Sequence, residues 1–125
     1  MALTEIASFF AFDSTSRVGV NVAISESGLN SPLAIIASTP AGRGTPLIRT
    51  FTANGTPLAS SLAFEAGFDG GITTTSVRLP NGSVRTVFGS GFGGAPRVRI
   101  IDSTGAMVAD FYAFDENSRG GVFVG

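Results

Sequence analysis

The chain has 125 residues and a net charge of −1, and only 14% of its residues are charged, against about 25% in a typical soluble domain. It contains no His, Cys or Lys, and all eight basic residues are Arg. Zinc sites, Ser-His-Asp triads, Cys-His dyads, Schiff-base lysines and disulfides are therefore excluded. No global field favours nucleic acid or an acidic membrane. No stretch approaches the ~20 apolar residues of a membrane span. The opening MALTEIASFFAFD has neither the basic start nor the apolar run of a signal peptide, so the chain reads as soluble and untargeted.

In chain order, the first expected element is a strand over residues 6–12. Four strand signals follow at Val20–Ile24, Leu33–Ser38, Leu47–Phe51 and Leu58–Phe64. Four more follow at Ile72–Leu79, Val84–Gly89, Arg97–Ile101 and Met107–Phe114, and a last short strand at Val122–Val124. Each is an alternating or apolar run bounded by Gly, Pro or Asn. Pro80-Asn81-Gly82 predicts a tight hairpin because Asn and Gly tolerate positive φ, and Asn54-Gly55 and Ser103-Thr104-Gly105 predict two more. Turns this frequent leave little room for a helix.

These elements repeat. TEIASFFAFDSTSRVGVNVA (4–23), TPLASSLAFEAGFDGGITTT (56–75) and AMVADFYAFDENSRGGVFVG (106–125) share the frame Ala-x-x-x-Ala-Phe-acid, then a loop, then Gly and a strand. Gly19, Gly71 and Gly121 mark steps of 52 and 50 residues, and TPLIRTFTANG (45–55) aligns with APRVRIIDSTG (95–105). A period near 50 residues with four antiparallel strands per period is the pattern of β-propeller blades. The expected fold is all-β: tandem four-stranded antiparallel units in one repeat domain, about two and a half blades. The units divide as residues 1–19 (partial), 20–71, 72–121 and 122–125 (partial). Open flanks expose unpaired strand edges, which stable proteins avoid, so closure by self-association, a dimer first, is expected. A β-sandwich or barrel of ten strands is the alternative.

APRVRIIDSTGAMVADFYAFDENSRGGVFVG resembles one unit of the FG-GAP-like β-propeller repeats of bacterial secreted and surface proteins, which are similar to integrin α-subunit blades. Gly93-Gly94-Ala95-Pro96 and Gly120-Gly121-Val122 carry the likeness. The resemblance implies a secreted or cell-surface setting. It also implies a calcium loop, Asp-x-Asn-Gly-Asp-Gly, between the first two strands of each unit. The aligned stretches here are Glu26-Ser27-Gly28-Leu29-Asn30-Ser31 and Arg78-Leu79-Pro80-Asn81-Gly82-Ser83. Calcium needs six to eight oxygens, several of them carboxylates, and these stretches hold one carboxylate between them. No calcium and no other metal or cofactor is expected.

The candidate ligand-binding residues are Asp13 with Arg17 and Asp115 with Arg119, an acid-x-x-x-Arg spacing in equivalent loops. A guanidinium there would grip a carboxylate or a sugar hydroxyl; otherwise each is a local ion pair. The middle copy has Glu65 and Asp69 instead. Arg97 and Arg99 share one strand face, pointing either to a channel or seam or to a polar face paired with Asp110. Phe9, Phe10, Phe12, Phe111, Tyr112 and Phe114 read as packing between blades or as an aromatic patch. Catalysis would fall to carboxylates alone, such as Asp102 with Asp110 or Asp115 with Glu116, and no catalytic residue is assigned. Gly91-Phe92-Gly93-Gly94 joins two strands and offers no helix terminus for phosphate. The leading expectation is a non-catalytic, self-associating repeat module that acts as a binding scaffold for a glycan or protein ligand. A lectin-like or adhesive carbohydrate-binding domain is the second reading and a carboxylate-dependent hydrolase the third.

Overall fold

The computed structural model describes residues 4–5, 7–16, 19–26, 33–40, 45–68 and 70–125. Eight strands form in it: β1 (Asn21–Glu26), β2 (Leu33–Ser38), β3 (Leu47–Thr52), β4 (Pro57–Leu62), β5 (Ile72–Arg78), β6 (Val84–Ser90), β7 (Arg97–Ile101) and β8 (Met107–Tyr112). They make two four-stranded sheets, each with its strands side by side in sequence order, and every neighbouring pair is antiparallel. No ladder among the described residues joins the sheets. They stack instead, with the two first strands, β1 and β5, making the principal contact.

The repeat extends to individual hydrogen bonds. Gly19, Gly71 and Gly121 have φ of 85°, 83° and 83°, a left-handed conformation that glycine adopts without a Cβ clash. Thr39 and Ser90 do the same job one period apart. Each hydroxyl donates to a carbonyl, of Thr45 or Ala95, and accepts from an amide, of Leu47 or Arg97. The amide of Ala63 donates to Pro46 as that of Ala113 does to Pro96, and the amide of Ile72 donates to Thr39 as that of Val122 does to Ser90. Even the bulge recurs, between Thr50 and Phe51 and between Ile100 and Ile101.

Alternation decides which residues enter the core. On the first sheet, Ala23, Ser25, Ile36, Ser38, Ile48 and Thr50 share the face turned to the second sheet. The core they help build is Ile36, Ile48, Ala63, Phe64, Ile72 and Phe88, with Ala23, Phe68 and Ile101 packed against it. The opposite face of β1 carries Val22 and Ile24, which remain 68% and 63% exposed. The outer strands β4 and β8 are exposed along nearly their whole length.

The two expected flanking strands are corrected. Ile6 lies outside the described residues; residues 7–12 and 122–124 join no ladder among the described residues. Alternation and β-propensity were present in both, but a strand needs a ladder with its neighbour, and among the described residues the single bond from the Val122 amide to Ser90 does not extend into one. Side chains seat them instead. Phe9 packs on Phe51 with ring centroids 5.0 Å apart, and the Thr73 hydroxyl donates to the carbonyl of Val122 (2.8 Å). That last bond repeats Asn21, whose amide donates to the carbonyl of Ile72 (2.8 Å). Residue 122 thus lies on the second sheet as β5 lies on the first.

Candidate functional site

The densest charged cluster sits where the end of β4 meets the face of β7. β7 begins at Arg97, and period-two alternation puts Arg97 and Arg99 on the same face with Phe88 of β6 and Asp110 of β8. Arg97 holds Asp110 through two parallel bonds, Nε to Oδ1 at 2.7 Å and a terminal nitrogen to Oδ2 at 2.5 Å. Its remaining terminal nitrogen crosses to the other sheet and reaches both oxygens of Glu65 at 2.6 and 2.7 Å. Arg99 adds a bond to Asp110 at 2.9 Å and one to the carbonyl of Ala63 at 2.8 Å. Both guanidinium groups lie over the ring of Phe64, 5.5 and 5.4 Å from its centroid.

Electrostatics follow from that geometry. The Arg97 bond, with help from Arg99, holds the Asp110 carboxyl down to about 2 although partial burial works against it. Glu65 is lowered as well, chiefly by Arg97, and Arg97 is raised in return, chiefly by Asp110. Two cations and two anions close a neutral set in which every carboxylate is a hydrogen-bond acceptor at neutral pH. Such a set braces two sheets; it offers no proton to a leaving group.

Asp110 therefore gives a pH-dependent contribution. Its folded pKa lies below its ordinary 3.8, so the stabilisation is complete above the unfolded value and is lost as pH falls through the folded one, between about pH 4 and pH 2. Solvent screening reduces its size to about 1 kcal/mol. Asp110→Asn is expected to lower stability by that amount at neutral pH and to flatten the urea-unfolding free energy over this acid window. Parallel pH profiles of the two proteins would refute the assignment.

Of the predicted acid-x-x-x-Arg pairs, Asp13 with Arg17 falls outside the described residues at Arg17, as does Asp69 of the middle copy. In the last copy, Asp115 Oδ1 accepts from the backbone of Asn117 (2.8 Å). Arg119 folds onto the carbonyls of Glu116 and Ser118 (2.7 and 2.9 Å). Asp13 closes its turn in the same manner on Thr15 (2.8 Å). An Asp at the head of a turn reaches its own backbone two residues on. The extra methylene of Glu65 carries its carboxylate past the turn, whose 65–68 bond is kept, and out to Arg97. Asp102 and Asp110 also serve different partners, since Asp102 caps its hairpin through Thr104 and Ala106.

The two aligned calcium-loop positions divide. Residues 27–31 lie outside the described set. In the other, Asn81 Oδ1 accepts from the amide and hydroxyl of Ser83 (3.0 and 2.6 Å), and Gly82 has φ of 86°. Between the sheets, a cleft of about 640 Å³ opens toward this turn. Ile36, Ile48, Val84, Phe88 and Ile101 line its depth, and Ser83, Asp102 and Thr104 its mouth. Its one aromatic ring, Phe88, is buried at 3% exposure, so no ring stands open for a sugar to stack on.

Glu65 was missed by sequence reasoning. Its signal was a paired departure: the middle copy has Glu where the others have Asp, and the following third strand has Arg97 where the earlier one has Leu47. Comparison with known proteins finds no matching family model, no matching curated protein and no matching solved structure.

Proposed function

We propose that this chain is a non-catalytic, β-propeller-type repeat module that works as a binding scaffold and associates with copies of itself through the two outward sheet faces. One observation carries the reading. Inside the molecule, Ser25 of the first sheet and Ser76 of the second meet hydroxyl to hydroxyl at 3.1 Å. One repeat step converts Ser25 into Val77 and Ser76 into Ile24. These two lie on the opposite, outward faces, and both are exposed. The polar pair of the internal contact is thus replaced by an apolar pair, with both members changed together. Val77 facing Ile24 of a second copy buries what would otherwise be a solvated apolar surface, whereas Val77 facing a serine would strand a hydroxyl.

The neutral ion cluster favours a scaffold over a hydrolase, because acid catalysis requires a carboxyl raised toward neutrality.

Light scattering tests the self-association. The expected mass rises with concentration above the 12.7 kDa of one chain. Ile24→Asp is expected to hold the mass at one chain while circular dichroism and melting temperature remain those of the parent at low concentration. A parent protein that stays at single-chain mass at every concentration rules self-association out.

A further inference from the structure

A small lock occurs twice, once between the two sheets and once between the outward face of the first sheet and residues 7–12, and the molecule carries a third, open socket of the same kind. In the first instance Arg49 of β3 donates to the carbonyl of Ala11 (3.0 Å) and lies over the ring of Phe12, 5.9 Å from its centroid. In the second, Arg99 of β7 donates to the carbonyl of Ala63 and lies over Phe64, as described above. Arg49 and Arg99 are one repeat apart, and so are the Ala-Phe pairs that receive them. The lock is therefore a rule of the fold: a guanidinium from the third strand of one unit enters the Ala-Phe pair that ends the unit before it. The bond to a carbonyl fixes its direction and the ring supplies a cation–π surface.

Ala113-Phe114 is the third such pair. The approach of the chain is the same, since the Ala113 amide is tied to Pro96 as the Ala63 amide is tied to Pro46. The turn that follows is the same as well, with 115–118 repeating 65–68. Yet Phe114 is 62% exposed, where Phe64 is 3% exposed, and among the described residues no guanidinium reaches the pair.

We infer that Ala113-Phe114 is the docking socket for Arg49 of a second copy of this chain, and that residues 7–12 are the internal stand-in which that socket displaces. This rests on the self-association proposed above and gives it a direction, last unit of one copy to first unit of the next. The stand-in is held by less than the contact it imitates. Residues 7–12 bring no ladder, whereas Ala63-Phe64 arrives on an intact strand and an accompanying Glu65. At the inner edge the exchange is matched, because residue 122 sits where β1 of the incoming copy belongs.

The experiment mixes two full-length variants. Phe114→Ser removes the ring of the socket and keeps Arg49. Arg49→Gln removes the guanidinium and keeps the socket. Both positions are exposed, and unchanged far-ultraviolet dichroism and melting temperature at low concentration check that each variant folds. Each variant alone is expected to associate at least about tenfold more weakly than the parent, the scale of one cation–π contact with its hydrogen bond. An equimolar mixture is expected to regain dimers that hold one copy of each, since one intact lock is restored in head-to-tail order. Phe12→Ser, which loosens the stand-in, is expected to strengthen association. Variants that associate as well as the parent, or a mixture no better than its components, overturn the socket while leaving self-association in place. A parent and a Phe12→Ser variant that both remain single chains overturn self-association and the socket together.

Discussion

Phe64→Ala is expected to destabilise the fold by about 3–5 kcal/mol, a large part of the about 5–15 kcal/mol that holds a domain of this size together. Phe64 is 3% exposed and belongs to the core cluster. It leaves the end of the first sheet, enters the gap between the two, and packs against Phe68 with ring centroids 5.3 Å apart. Truncation empties a ring-sized volume that no neighbouring strand can collapse to fill, because each is fixed by its own ladder. It also uncovers Arg97 and Arg99, whose guanidinium groups lie over that ring. The loss therefore combines apolar transfer, a cavity and two cation–π contacts. Phe114→Ala is the matched control, the same residue in the same frame at an open position, and its effect on the dilute protein is expected within about 0.5 kcal/mol. Urea midpoints of the two variants decide the matter. Equal losses would mean that the sheets do not stack as described.

The contrast between those two phenylalanines shows what the sequence carried and what it did not. Periodicity and turn chemistry are local, and they located the elements well. Arg97–Ile101 and Leu33–Ser38 form over their expected residues, and the others differ by one or two residues at one end or, for β1 and β4, at both, where pairing rather than propensity decides the last hydrogen bond. The glycine frame was legible because a left-handed backbone is a demand that few residues meet. Flanking strands were read from pattern alone, and they failed because a ladder is a property of two segments. Likewise Asp115 and Arg119 share a loop, yet each is satisfied by nearer backbone groups, and spacing cannot report that competition. The Arg97–Asp110 pairing was legible because both lie on neighbouring strands of one sheet. Glu65 was not, because it crosses between sheets, and no periodicity within one strand encodes that distance.

That crossing gives the repeat its mechanical sense. Within a sheet, backbone ladders do the holding. Between sheets, the described contacts are the backbone bond from Ile72 to Thr39, side-chain packing, a few side-chain hydrogen bonds, and the set of Glu65, Arg97, Arg99 and Asp110. Each sheet is then a stiff unit joined to the next largely through side chains that one repeat step can alter without touching the ladder. The Ser25–Ser76 pair and its apolar counterparts, Val77 and Ile24, are such an alteration: same backbone, different preference in neighbour.

Gly91→Ala is expected to lower stability by about 3 kcal/mol or more, from a methyl group alone. A Cβ at residue 91 would lie 2.1 Å from the carbonyl oxygen of Gly70. That atom is backbone, in the crossing between the sheets, so no side-chain rotation relieves the clash. The same crossing is fastened by the Gly91 amide, which donates to the carbonyl of Gly71 (3.0 Å). Moving the chain aside therefore also strains this bond, and overpacking against a fixed backbone exceeds the usual cost of about 1–3 kcal/mol for an added methylene. Gly82→Ala separates sterics from backbone conformation. Gly82 has φ of +86° and open space where its Cβ would stand, so it meets only the left-handed penalty of about 1–2 kcal/mol. If the two unfold at the same urea concentration, residues 70 and 91 do not approach as closely as this, and the crossing that sets one sheet against the other has a different path.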